Sequence, residues 1–238
     1  MICFLINGME YIMKLNESTI KNLKSLAELN PRLFIKKGNV QKNLKEDKTV
    51  FAQFKLEDEF PMSFRIYDLN KFIGNIELLN NPEIDFHDTY CEIKDDECII
   101  SYKYAAEGLV QELTTKELVL TDPDVTFNLN EKLLAKILKI STINGFEYIT
   151  IEVADSVLSL VGMNDSKSGD GSGSDSVRII IDSSYKCDDF KIVCKIENLK
   201  NIIMDSYAVT AKRDAFAVFE NESKTKKYLV VTERGRSS

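Results

Sequence analysis

A repeat constrains this chain more than any other feature. Leu15-Asn16-Glu17 and Leu129-Asn130-Glu131 each open a segment of helical periodicity, and Ile20, Leu23 and Leu26 fall in register with Leu134, Ile137 and Ile140. Phe64-Arg-Ile-Tyr-Asp-Leu-Asn-Lys-Phe-Ile73 likewise lines up with Cys194-Lys-Ile-Glu-Asn-Leu-Lys-Asn-Ile-Ile203. Each of these reads as a strand that runs through an N-cap, Asp68 or Asn198, into a helix with one apolar face. The first pair is offset by 114 residues and the second by 130, so the second copy is the longer one. Much of the excess falls in residues 164–176, whose Gly-Asp-Gly-Ser-Gly-Ser core suits a flexible loop between strands.

Four segments carry the helical period: Asn16–Leu29, Asp68–Leu79, Asn130–Ile140 and Asn198–Met204. Most of the remainder reads as short strands, several alternating apolar with polar, as in Lys191-Ile-Val-Cys-Lys-Ile196 and Tyr148-Ile-Thr-Ile-Glu-Val153. Alternation of that kind belongs to sheets with one buried face. The fold class expected is α+β: two similar domains, each with two helices backed by antiparallel sheets. Residues 14–105 form the first domain, 106–121 an extended crossover and 122–238 the second. Residues 1–13 read as an extension, loosely ordered at best, because Met13 directly precedes the first convincing element. The apolar start, Met1 to Ile6, lacks the basic region and small-residue cleavage site of a signal peptide.

The net charge of −7 argues against a wholly basic nucleic-acid coat, but not against basic residues gathered on one surface. On the third helix Lys132, Lys136 and Lys139 stand at i, i+4 and i+7, one stripe opposite Leu133, Leu134, Ile137 and Leu138. The second helix carries Lys71 beside Asn70 and Asn75, and the fourth carries Lys200 beside Asn201. The first presents Lys21 and Lys24, diluted by Glu17 and Glu28. Acidic residues collect between the helices, at Glu57-Asp-Glu59, Asp85, Asp88, Asp95-Asp-Glu97, Asp122, Asp124 and Asp188-Asp189. Lysine can simply solubilise an exposed helix. Helices that all back onto sheets and all turn lysine outward also suit a phosphate-lined channel, where contact is electrostatic and blind to sequence.

No catalytic constellation is legible, and no cofactor or metal site is expected. His87, the sole histidine, has no nucleophile motif around it and reads as a half-buried strand residue. Gly169-Asp-Gly-Ser-Gly173 lacks the Lys-Ser/Thr and the helix of a phosphate-binding loop. The five cysteines are scattered and read as buried reduced thiols. No run is long enough to cross a bilayer, so no membrane partner is expected. The crossover is unusually apolar: Leu109, Val110, Leu113, Leu118, Val119 and Leu120 could wall a groove for an apolar peptide anchor, or pack onto an adjacent sheet edge.

Tyr67-Asp-Leu-Asn-Lys-Phe-Ile-Gly74, followed by Ile76-Glu-Leu-Leu79, resembles the DNA polymerase sliding clamps of T-even-type bacteriophages. Met13-Lys-Leu15 resembles the usual start of those clamps, and Tyr104-Ala-Ala106 adds a weaker match before the crossover. The resemblance implies a non-enzymatic homotrimeric ring of six similar domains, with twelve helices lining a hole for double-stranded DNA. It further implies an ATP-dependent clamp loader, a replicative DNA polymerase docking through a short C-terminal peptide, and late-transcription factors as partners, in the cytoplasm of an infected bacterial host. The N-terminal extension, the Gly/Ser loop and the lack of tryptophan depart from the pattern, though none touches the helix faces. The alternative is a two-domain β-rich adaptor that binds protein partners and forms no ring.

Overall fold

The computed structural model describes residues 11–114, 120–164, 175–186 and 188–234. The chain divides into two compact units, Met1–Glu46 with Ala52–Lys116, and Asp47–Phe51 with Glu117–Ser238. The first unit runs β1 (Tyr11–Met13), α1 (Glu17–Leu29), β2 (Leu33–Ile35), β3 (Gly38–Leu44), β4 (Val50–Phe60, its first two residues counted with the second unit), β5 (Phe64–Ile66), α2 (Leu69–Leu78), β6 (Glu83–Phe86), β7 (Tyr90–Lys94) and β8 (Ile99–Lys103). The second repeats that order: β9 (Val125–Leu129), α3 (Glu131–Ile143), β10 (Tyr148–Ala154), β11 (Val157–Met163), β12 (Ser176–Asp182), β13 (Phe190–Lys195), α4 (Ile196–Leu199), β14 (Tyr207–Ala211), β15 (Phe216–Asn221) and β16 (Lys226–Val231). Pairing repeats as well. The sheet β1-β6-β7-β8 of the first unit has its counterpart in β9-β14-β15-β16 of the second. The sheet β12-β11-β10-β13 corresponds to the β2–β5 pair and to β3 lying beside β4.

The two long helices share their boundaries as well as their place. Asn16 and Asn130 are the N-caps, accepting from the N–H of Thr19 at 2.7 Å and of Leu133 at 2.9 Å. Such caps satisfy donors that the first helical turn leaves free. Asn30 and Asn144 close both helices at the same offset of 114, their N–H groups donating to the carbonyls of Leu26 and Ile140. The core of the first unit is aromatic: Phe64 lies 5.4 to 6.3 Å, ring to ring, from Phe60, Phe72 and Phe86, and Phe72 meets Tyr102 edge-on at 5.3 Å. In the second unit buried Tyr207 packs edge-on against Phe219 and Tyr228.

The structure corrects the sequence reading of the backbone at four places. Tyr11–Met13 are not loose extension but strand β1, with Tyr11 opposite Phe86 and Met13 opposite Ile84. They are the counterparts of Val125 to Phe127, so the repeat reaches back past Met13; residues 1–10 lie outside the described residues. β3 is a strand that the mostly polar run Gly38-Asn-Val-Gln-Lys-Asn43 does not announce. The fourth helix starts at Ile196, not after an Asn198 cap, and lasts one turn. Asn198 is buried and accepts from the Thr49 hydroxyl at 2.8 Å, while the Ile202 N–H bonds back only three residues to Leu199. The Tyr207 hydroxyl then takes the Ile203 carbonyl at 2.7 Å and holds the chain off the helical path. Lastly, the crossover opens with a 3-10 turn, Glu107–Leu109, rather than plain extended chain.

Of the cysteines, Cys91 and Cys194 are buried, and burial pushes both thiols up to about 12, which keeps them protonated and inert. Cys98 is exposed, contrary to expectation, because it ends a turn in which the Asp95 carboxylate accepts from the N–H groups of Glu97 and Cys98. Cys3, Cys187 and the residues 165–174 of the Gly/Ser loop lie outside the described residues. Among the described residues no helix is long and apolar enough to cross a membrane.

Candidate nucleic-acid interface

α3 packs against β11 and β12 and buries Leu134, Ile137, Leu138 and Ser141. The helical period then forces Lys132, Lys136 and Lys139 to the opposite side, and all three are exposed. Among the described residues no ion pair engages any of them. Lys200, exposed at the C-cap of α4, belongs to the helix that packs beside α3. The same unit thus offers three lysines in a row and a fourth on the neighbouring helix.

In the first unit α1 and α2 lie side by side. Lys21, Lys24 and Lys71 are exposed there. Lys24 is paired, however: its ammonium sits 2.6 Å from Glu77 of α2. Both side chains are close to half exposed, so the pair adds at most about 1 kcal/mol to stability, but it cancels one charge on this helix pair. Lys71 lies in the first turn of α2, where its backbone N–H donates to the Asp68 carboxylate at 3.0 Å, and among the described residues no ion pair engages its ammonium. The two long helices bury overlapping but not identical faces. Leu23 and Ala27 match Ile137 and Ser141, all buried, whereas Asn22 is buried where Lys136 is exposed, and Lys24 is exposed where Leu138 is buried. That small rotation gives the second unit its continuous stripe and leaves the first with a shorter one.

The crossover residues separate into distinct environments. Arg65 pins the start of the segment: its guanidinium lies over Phe34 at 4.9 Å, donates to the Val110 carbonyl at 3.0 Å and pairs with Glu107 at 3.1 Å. Val110 is buried in the first unit, and Leu109 is exposed. Leu113 lines a cleft of about 300 Å³ together with Phe34, Lys36 to Val40, Lys42 and Glu112, and a Lys36–Glu112 ion pair at 3.5 Å marks its rim. Leu120 is half-buried; Leu118 and Val119 lie outside the described residues. The β3 side of this cleft was missed in the sequence. Its one apolar cue within Gly38-Asn-Val-Gln-Lys-Asn43 was Val40, which the structure leaves 38% exposed.

No family model matches the chain. It is 30% identical over 205 residues to the sliding clamp of Vibrio phage KVP40, a match covering 83% of this chain and 90% of that protein. It is 25% identical over 154 residues to the sliding clamp of Escherichia phage RB69, covering 64% of this chain and 67% of the relative. Among solved structures, proliferating cell nuclear antigen (PCNA) from Thermococcus kodakaraensis superposes with a TM-score of 0.67 at 10% identity, over 93% of this chain and 99% of that one. The DNA polymerase III subunit beta of Pseudomonas aeruginosa superposes with a TM-score of 0.66 at 10% identity, over 95% of this chain and 67% of that one. These two likenesses show the fold.

Proposed function

The chain belongs to the sliding clamp family, and we propose that it acts as a ring of three identical subunits that encircles double-stranded DNA and tethers the replicative DNA polymerase. The observation that carries this reading is the α3 face: three exposed lysines in one row, with no ion pair among the described residues, on a protein of net charge −7. In the ring Lys21, Lys24, Lys71, Lys132, Lys136, Lys139 and Lys200 face the hole and meet phosphates without reading bases. Lys24 contributes least, because Glu77 already holds it. The ring performs no catalysis of its own. An ATP-dependent loader opens it, and late-transcription factors share it, in the cytoplasm of the infected bacterial host.

Two sheet ends support a head-to-tail ring. β8 ends the sheet β1-β6-β7-β8 and β12 ends the sheet β12-β11-β10-β13. Each exposes an isoleucine, Ile99 at 64% and Ile180 at 59%. Apolar side chains on a bare strand edge invite pairing with another chain, and unlike edges on each subunit generate a closed ring when the rotation closes. Native mass spectrometry should therefore show a complex of about 81 kDa, three times the 27.1 kDa chain. Ile180→Lys should shift the population to monomer. A wild-type monomer at every concentration would leave only the adaptor reading.

The cleft beside Leu113 is the proposed dock for the polymerase peptide. It combines an apolar floor of Phe34, Val40 and Leu113 with lysines at its rim, a chemistry suited to a peptide ending in apolar residues and a carboxylate. Val40→Ser with Leu113→Ser should weaken binding of a polymerase C-terminal peptide by about tenfold, the scale of losing apolar anchors at an interface. The oligomer should be unaffected. Unchanged affinity in a titration of labelled peptide would remove the cleft from the docking site.

A further inference from the structure

Asp85, His87 and Glu92 gather on one face of the β6–β7 hairpin. Asp85 stands directly opposite Glu92 in antiparallel register. His87, two residues beyond Asp85, returns to the same side of the pleat. Its backbone N–H donates to the Tyr90 carbonyl at 2.9 Å, and its ring stacks on Tyr90 with centroids 4.4 Å apart, which orients the imidazole. One ligand atom from each of the three residues lies within 4.8 Å of the other two.

A second, independent observation points into this cluster. The Asp85 side chain is only 9% exposed. Its Oδ2 accepts from Lys94 at 3.1 Å, but its Oδ1 is buried with no hydrogen-bond partner. The Nε2 of His87, 4.0 Å from that oxygen, is also buried without one. Native proteins seldom leave two such atoms unsatisfied side by side. Carboxylates directly opposite each other across a strand pair also repel. A proton shared between Asp85 and His87 would leave Glu92 unanswered, and 4.0 Å is too long for a hydrogen bond.

We propose that Asp85 Oδ1, His87 Nε2 and the Glu92 carboxylate bind one divalent first-row transition-metal ion, with zinc as the reference ion. Imidazole nitrogen and carboxylate oxygen are both ligands of such ions, and three protein ligands leave a fourth position for water. Calcium needs six to eight oxygens, more than these side chains supply. Bonds of about 2.0–2.1 Å require the ligand atoms to close by roughly an ångström, a shift within reach of the half-buried His87 and Glu92 side chains. Lys94 neutralises one carboxylate through Oδ2 and leaves Oδ1 to the metal. The site is independent of ring formation and of DNA.

The test uses the full chain with Cys3, Cys98 and Cys187 changed to serine, so that thiolates do not compete, and stripped of metal by a chelator. Calorimetric titration with zinc chloride alone should show one saturable site per chain. His87→Ala and Glu92→Gln should each weaken it by at least about tenfold, the scale seen when a metal site loses a supporting group, while circular dichroism stays unchanged. Zinc should raise the melting temperature of the parent protein and not of the His87→Ala variant. Absence of a site in the parent, or equal binding by parent and His87→Ala, would overturn the proposal.

Discussion

With Lys132, Lys136 and Lys139 all changed to alanine, loading onto primed circular DNA should fall about tenfold or more at low salt, and the deficit should shrink as salt rises. The sign follows from counterion release. Each phosphate neutralised contributes a slope of about −0.9 to the dependence of log affinity on log salt. A trimer loses nine charges through this change, and if only three engage phosphates at one time the slope becomes shallower by about 3 units. Wild type and variant therefore converge at high salt, where neither gains from releasing ions. The fold should survive, because all three side chains are exposed and none takes part in an ion pair among the described residues. A suitable control changes Lys48, Lys55 and Lys186, all exposed and off the helices. Lys226 would be a poor control, since it holds the half-buried Asp205 at 3.2 Å. Processivity measured across a salt series decides the matter: coincident curves for the two triple variants would reduce the α3 stripe to a solubilising face.

Gly162→Ala should destabilise the second unit by about 2–3 kcal/mol, the cost of forcing extra volume into a packed core. An added Cβ would lie 2.7 Å from Ser141 Oγ, 2.9 Å from Val177 Cγ1 and 3.0 Å from Phe146 Cδ2. Ser141 is on α3 and Val177 on β12, so the missing side chain is what lets the lysine-bearing helix approach its sheet. The melting temperature should drop by about 5–10 °C, given about 2–4 °C per kcal/mol for a chain of this size. Gly74→Ala on α2 should behave in the opposite way. Its Cβ would meet nothing within 4 Å, and removing glycine from the interior of a helix is worth about 0.5–1 kcal/mol. Differential scanning calorimetry on both variants checks the contrast; a Gly162→Ala protein as stable as wild type would show that α3 is free to shift away from β11.

What the amino-acid sequence determined alone is whatever depends on local period and capping. Asn16 and Asn130 announce α1 and α3, because a side-chain acceptor before an apolar-periodic run satisfies the free N–H groups of the first turn wherever it occurs. Lys132, Lys136 and Lys139 had to share a face, and Leu134 and Ile137 the opposite one, from the pitch of the helix. Alternation marked several of the strands, although in β10 the polar positions Thr150 and Glu152 are buried along with their apolar neighbours. What the tertiary structure decided are the places where a polar side chain serves the interior. In β3 the pattern is inverted: Gln41 and Asn43 are buried while Val40 is exposed. Gln41 bonds both backbone groups of Lys36, and the Asn43 amide takes the carbonyls of Leu26 and Asn30 at the end of α1. A buried amide that closes another element's backbone looks, in sequence, like a solvent-facing residue, so β3 was missed, and with it the wall of the cleft that faces Leu113. Asn198 misled for the same reason, its side chain being spent on Thr49 rather than on a cap. The meeting of Asp85 with Glu92 depends on strand register, which no single strand carries in its own sequence. Periodicity states which face of an element is apolar; only the packed neighbours decide what covers it and which polar groups they bring.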